Sequence, residues 1–271
     1  MKIYAIRDEA IDLERDLAWL FYDPFSTRFY IELPEKTDPW QLPPPLDVYA
    51  AQGVFTLSSG TSLRWVEERI VPADRQNLGM ILKENKLRYY EPFRLWLLAD
   101  GRCAQDDCFL VSVSTEELPK QIQKRLQEKV LDVTPLSKNR VLVLFRDDVV
   151  RMVDIAAYSK KETVLRTVCA DKTEFERVRV SPLGNGIEWD ERRQIMTQDL
   201  RTAGEVLPLT AEDLLSFTKN RTLDTKDATE LLRCSRQYVN KLIAEDRLHP
   251  IRGGKSGTLF LRREVEQLIP G

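Results

Sequence analysis

The 271-residue chain has a single histidine, His249. Without a second imidazole, neither a Ser-His-Asp nor a Cys-His arrangement can be assembled away from that residue. His249 stands directly before Pro250, where a structural or backbone-contacting role is expected rather than catalysis. Cysteine is also scarce: Cys103, Cys108, Cys169 and Cys234 include no close Cys-x-x-Cys pair. Free thiols in a reducing cytoplasm are therefore expected, not a disulfide framework. No apolar run approaches the roughly 20 residues needed to cross a bilayer. The first residues, Met1 to Glu9, lack the apolar stretch of a secretory signal. Neither Gly184-x-Gly186 nor Gly253-Gly254 stands in the strand-to-helix setting of a phosphate-cradling loop. Cys103 and Cys108 flank Asp106 and Asp107, a combination that could be a mixed thiolate and carboxylate metal site or a turn with two thiols. The turn is the better reading, because zinc sites show closer pairs or added histidines. No metal, no cofactor and no enzymatic turnover are expected.

What remains is ample for folded domains. Hydrophobic residues make up 42% and charged residues 31% of the chain, enough for real cores under a solvated surface. The length suggests two or three domains. The net charge of −2 hides an asymmetry. Residues 221–271 hold ten Lys and Arg against seven Asp and Glu, a charge of +3, which leaves −5 on the first 220 residues. A basic end on an acidic body suits nucleic acid at that end.

Along the chain, Phe29 to Leu33 reads as a strand, and the proline-rich Asp38 to Pro45 as a rigid loop. Asp74 can cap a helix with Leu78, Ile81 and Leu82 on one face, and Pro92 can open another through Leu98. Glu117 to Val130 places Ile122, Leu126 and Val130 at four-residue spacing, an amphipathic helix closing a first α+β domain over residues 1–128. Residues 129–208 read as a small β-rich domain. Its strands are expected at Arg140 to Phe145, Val149 to Ile155 and Phe175 to Val180, with a turn at Gly184-Asn185-Gly186. Thr210 has the chemistry of an N-cap for a linker helix over 209–220. The expected fold class is α+β and multidomain, ending in a DNA-binding domain over 221–271.

In that last stretch Asp224 or Thr225 can cap a short helix that buries Ala228, Leu231 and Leu232. Arg233-Cys234 makes a turn, and Ser235 can cap a second helix that buries Val239, Leu242 and Ile243. The opposite face then presents Arg236, Gln237, Asn240 and Lys241 side by side. Arg makes two hydrogen bonds to guanine O6 and N7, Asn and Gln do the same to adenine, and Lys neutralises phosphate. The Tyr238 ring could pack in the turn, or its hydroxyl could reach a phosphate. Further on, Arg252-Gly253-Gly254-Lys255-Ser256-Gly257-Thr258 is a Gly-rich basic loop between two expected short strands, which together form a wing. Its glycines permit close approach to the DNA backbone, with Arg252, Lys255, Ser256 and Thr258 as candidate contacts.

The run from Leu223 to Leu232, the run from Cys234 to Ile243 and the ending Phe260-Leu261-Arg262-Arg263-Glu264-Val265 together resemble the winged helix-turn-helix of excisionases and the MerR family. The resemblance implies that Ser235 to Lys241 enter the major groove and that Arg252 to Thr258 form the wing. No long dimerising coiled coil follows, so the excisionase-like subgroup fits better than metal- or drug-sensing regulators. Separately, Val141 to Phe145, Val153-Asp154-Ile155, Phe175 to Val180 and Ile187-Glu188-Trp189 resemble a bacterial domain family of unknown function found beside helix-turn-helix modules. The expected function is a sequence-specific, double-stranded-DNA-binding transcriptional regulator of the cytoplasm. It would act as a homodimer, with a protein partner or small ligand at the N-terminal domains. The alternatives are an excisionase-like architectural factor and an antitoxin-like adaptor in which DNA binding is secondary.

Overall fold

A computed structural model of the chain describes residues 1–160, 162–254 and 257–269. It is an α+β protein with several sheets. The chain divides into two compact units, Met1–Asp147 with Arg151–Val206, and Asp148–Val150 with Leu207–Gly271.

The first unit begins with a four-stranded antiparallel sheet of β1 (Lys2–Asp8), β2 (Ala18–Asp23), β3 (Arg28–Glu32) and β4 (Cys108–Ser112), in the order β3-β2-β1-β4. Side chains alternate across a strand, so this sheet has two faces to bury. One face carries Ile6, Leu20, Phe29 and Ile31. It packs under α1 (Leu46–Ala51), α2 (Ser59–Glu67) and α4 (Pro92–Leu97), whose contributions include Leu46, Trp65, Val66, Phe93 and Trp96. The other face carries Ile3, Ala5, Trp19, Phe21 and Tyr30 against Leu118 and Ile122, the latter on α5 (Lys120–Gln127). Between α2 and α4 lies α3 (Leu78–Glu84), with no buried residue. Its N-cap position is held by Asn77 without a side-chain bond, so Asp74 does not cap it as the sequence suggests. Helix α5 is shorter than the expected Glu117–Val130 because Pro119 precedes its first turn and Val130 already belongs to a strand.

The remainder of this unit holds β5 (Val130–Leu136), β6 (Arg140–Phe145) and β7 (Val150–Asp154), then α6 (Ile155–Tyr158), α7 (Arg166–Ala170) and α8 (Lys172–Phe175). A small sheet of β8 (Arg179–Val180), β9 (Gly186–Glu188) and β10 (Gln194–Met196) follows, then α9 (Thr197–Thr202) and β11 (Glu205–Leu207). The order of the larger sheet is β11-β7-β6-β5. Phe175 to Val180 is not a continuous strand as expected. The Asp171 carboxylate accepts from the Thr173 and Glu174 amides and starts a helix turn that ends at Phe175, leaving only Arg179 and Val180 extended.

The border expected between residues 128 and 129 does not separate two compact units. Glu32, at the end of β3 and fully buried, sits 3.2 Å from Lys129 Nζ and 3.1 Å from Arg125 Nη1, and accepts from Thr56 Oγ1 at 2.7 Å. The Arg125 and Lys129 contacts are close ion pairs rather than well-aligned hydrogen bonds. Lys129 Nζ donates to Asn185 Oδ1 at 2.6 Å, which carries the network into the loop before β9. Burial pushes the Lys129 ammonium towards a lower pKa, and Glu32 beside it acts in the opposite sense. A second bridge joins Arg28 of β3 to the buried Glu188 of β9 at 2.5 Å, and Glu188 also takes Arg179 at 3.0 Å.

The second unit is built on Phe260, which has no exposed surface, with Leu223, Ala228, Val239, Leu242, Leu248 and Val265 around it. Its elements are α10 (Ala211–Arg221), β12 (Thr222–Asp224), α11 (Thr225–Leu232), α12 (Arg236–Ala244), β13 (Leu259–Leu261) and α13 (Arg262–Glu266). Thr210 and Asp213 form a reciprocal cap at the start of α10. Strand β13 pairs along its length with β12, in the register Thr222 to Leu261. The expected strand before the Gly-rich loop is reduced to one bridge, Arg252 to Leu259, so the second full strand comes from before the helix pair. Pro250 lacks the N–H that would extend the ladder backwards. Lys161, Lys255, Ser256, Pro270 and Gly271 lie outside the described residues.

Lys129→Met should reveal the weight of the buried cluster. Removing the ammonium leaves Glu32 buried with one cation fewer, which is expected to cost about 3–5 kcal/mol. Urea denaturation followed by tryptophan fluorescence measures it, and an unchanged midpoint would show the ammonium to be dispensable.

Candidate nucleic-acid interface

Helices α11 and α12 face each other through a turn that the local sequence dictates. Asp224 caps α11 by accepting from the Asp227 amide at 2.8 Å, and Asp227 returns the contact to the Asp224 amide. At the far end Arg233 adopts a left-handed conformation with φ 50°, and the Cys234 amide donates to Thr229 O at 3.1 Å. Ser235 then caps α12, its hydroxyl accepting from the Tyr238 amide at 3.3 Å. Val239 and Leu242 are buried, with Ile243 packed beside them, and this fixes how α12 rotates about its own axis.

That rotation turns Arg236, Gln237, Asn240 and Lys241 outward. Arg236, Gln237 and Asn240 are exposed, and none of their side chains bonds to another described residue. Lys241 has Glu245 at 3.6 Å, one helical turn on, a solvated pair of little energetic weight. Tyr238 is 43% exposed and lies further round the helix, beside the face rather than on it. The Ser235 hydroxyl accepts the capping amide, which leaves its O–H able to donate to a further acceptor.

The Gly-rich loop returns beside the helix pair. A cleft of about 420 Å³ lies between the starts of α11 and α12 and the loop's end, lined by Lys226, Thr229, Cys234, Arg236, Gly257 and Thr258 among others. The structure thus brings Arg236 and Thr258 to one cleft. Arg252 is exposed, and its backbone holds the loop through the bridge to Leu259. Of the candidate contacts, Lys255 and Ser256 lie outside the described residues. Thr225, Lys226 and Thr229 also line the cleft, a role the sequence reading did not assign. Their position at the start of a capped helix was the available signal. Asp224 lines it too, so the positive charge of the cleft rests on Lys226 and Arg236.

His249 pins the entry to the loop. Its ring nitrogens lie 2.5 Å from Glu264 Oε1 and 3.2 Å from Asp246 Oδ1, and its backbone N–H donates to Glu264 at 3.0 Å. The hydrogen bond to Glu264 raises the imidazole pKa above its ordinary 6.5. Elsewhere, the Asp106 carboxylate near Cys103 is taken up by Arg69, and no group of three or more His, Cys, Asp or Glu side chains among the described residues could hold a metal ion. No helix among the described residues is long and apolar enough to cross a membrane.

Residues 130–202 match the family described as Protein of unknown function (DUF2442), less than half of the chain. The match encloses the segments between Val141 and Trp189 whose sequence resembles a family of unknown function. No curated protein matches the chain. Among solved structures, a protein of Nitrosomonas europaea whose name makes it a candidate DNA-binding protein is 21% identical, over 45% of this chain and 79% of its own, with a TM-score of 0.25.

The single histidine makes its titration directly readable by NMR. The midpoint should lie above 6.5 and move back towards it in Glu264→Gln. A raised folded-state pKa stabilises the fold below the unfolded value, and that contribution is lost as the pH rises through the folded value. Stability of the second unit should therefore fall over that interval in the wild type and fall less in the variant, where Asp246 remains beside the ring. A midpoint at or below 6.5 would contradict the pairing.

Proposed function

We propose that the second unit is a winged helix-turn-helix that binds double-stranded DNA, and that the chain is a sequence-specific transcriptional regulator of the cytoplasm without catalytic activity. The observation that carries this reading is the outward face of α12. Three side chains suited to base edges, Arg236, Gln237 and Asn240, are exposed and unpaired with other described residues on a helix whose opposite face is locked into a core. Lys241, on the same face, is by contrast paired with Glu245 one turn on. In this reading α12 lies in the major groove, with Arg236, Gln237 and Asn240 on bases, Lys241 and Tyr238 towards the backbone, and Arg252, Lys255, Ser256 and Thr258 as the wing. Ser235 caps the reading helix. The net charge of +3 over residues 221–271 supplies the sequence-independent attraction.

A single short recognition helix reads one half-site, so two copies related by symmetry are proposed to read a repeated site. The first unit is the place for that association. Light scattering of the full chain should return twice the chain mass, and a monomer at high concentration would remove the dimer from the proposal.

Base reading and backbone holding leave different signatures. Arg236→Ala should flatten preference at one or two base positions, worth about 1–3 kcal/mol of discrimination. Arg252→Ala should weaken all sequences alike and lower the salt slope by about one unit. Selected-site binding at two salt concentrations separates them. An identical, uniform loss in both variants would mean that α12 does not read bases.

A further inference from the structure

The first unit contains a cleft of about 440 Å³ between the turn joining β2 to β3 and the segment that leads into α4. Its walls are unusually aromatic. Phe29 and Phe93 are buried at its base, and Tyr22 lies parallel to Phe93 with ring centres 3.8 Å apart and planes 6° apart. Tyr89 and Tyr90 also line it, together with Thr27, Leu63 and Pro92, and Tyr89 remains 65% exposed. The one charged lining residue is Glu91. No described donor hydrogen-bonds to its carboxylate, and the nearest cation, Arg94 Nη1, is 3.9 Å away. The Tyr22 phenol is pushed towards a higher pKa by burial first, then by the negative fields of Glu91 and Asp23. The ring cluster already receives one ammonium group, Lys2 Nζ, 5.0 Å from the centre of Phe93.

A core aromatic cluster closes on itself, whereas this one leaves a ring and a carboxylate facing an open cavity. The volume is that of a small-molecule site, where apolar walls carry one orienting polar group. Aromatic faces attract cations and stack on flat rings, and a carboxylate beside them repels anions. We propose that the cleft binds a flat aromatic small molecule carrying a cationic amine or amidine. Its ring lies against Tyr22, Tyr89 and Tyr90, and its charge meets Glu91. The site is separate from the α12 face, so its test does not depend on DNA binding.

The experiment titrates the full chain with three aromatic cations, tryptamine, benzamidine and 9-aminoacridine, and with indole-3-acetate as the anionic counterpart of the first. Calorimetry measures affinity, and the tyrosine ring resonances report location. At least one cation should bind saturably at one site, with indole-3-acetate about tenfold weaker than tryptamine or undetectable, the size expected when one charge-assisted contact becomes a repulsion. Tyr89→Ala, at an exposed ring, should weaken the bound cation about two- to fivefold. Glu91→Gln should weaken it about tenfold. Melting curves check that both variants remain folded. The proposal is overturned if none of the three cations binds, if the anion binds as tightly as tryptamine, or if neither variant changes affinity.

Discussion

A carboxylate with no access to water constrains how the first unit packs. Glu32 ends β3 with its side chain fully buried, and a buried unpaired charge is among the costliest defects a fold can hold. Lys129, Arg125 and Thr56 therefore have to converge on it, and they come from the start of the following strand region, from α5 and from the loop before α2. The Lys129 ammonium in turn needs a further acceptor and finds Asn185. One desolvated charge thus fixes four separate segments. This is why residues on either side of the expected 128/129 border share one compact unit. A buried pair of this kind adds little net stability, but it penalises every arrangement in which a member is missing.

The second unit is organised on the opposite principle. Its core is small and apolar, gathered on Phe260, and its polar side chains are spent on helix ends: Thr210 with Asp213, Asp224 with Asp227, and Ser235. Capping satisfies backbone groups locally and leaves the outer faces unconstrained. The α12 face is left exposed because the residues that rotate it into place, Val239 and Leu242, are on the other side. The His249 contacts to Glu264 and Asp246 tie the loop entry to α13, so the Gly-rich segment is anchored at its base through a titratable group.

Local chemistry was legible in the sequence wherever one face was buried and one was solvated. The helix pair, the Ser235 cap, the α10 cap and the strand at Arg140 to Phe145 all carry that asymmetry or a capping residue. The strands β1 and β2 carry neither signal. Ala18 to Phe21 are buried on both faces of the sheet, so the period-two pattern that marks a half-exposed strand is absent. The stretch from Phe175 to Val180 failed for a different reason. Its alternation was real, but the Asp171 cap competed locally and won the first half for a helix.

The sequence by itself determined the composition of the α12 face, its spacing and the charge excess of the last 51 residues, because these depend only on helical periodicity and residue chemistry. Tertiary structure alone decided three things. It paired β13 along its length with β12 and left the segment just before the loop a single bridge, because Leu223 and Phe260 bury against each other across that ladder. It placed Lys226 and Thr258 in the cleft beside Arg236. And it brought Tyr22 against the run that holds Tyr89, Tyr90, Glu91 and Phe93. Contacts between residues far apart in sequence are set by how elements pack, and no local pattern records them.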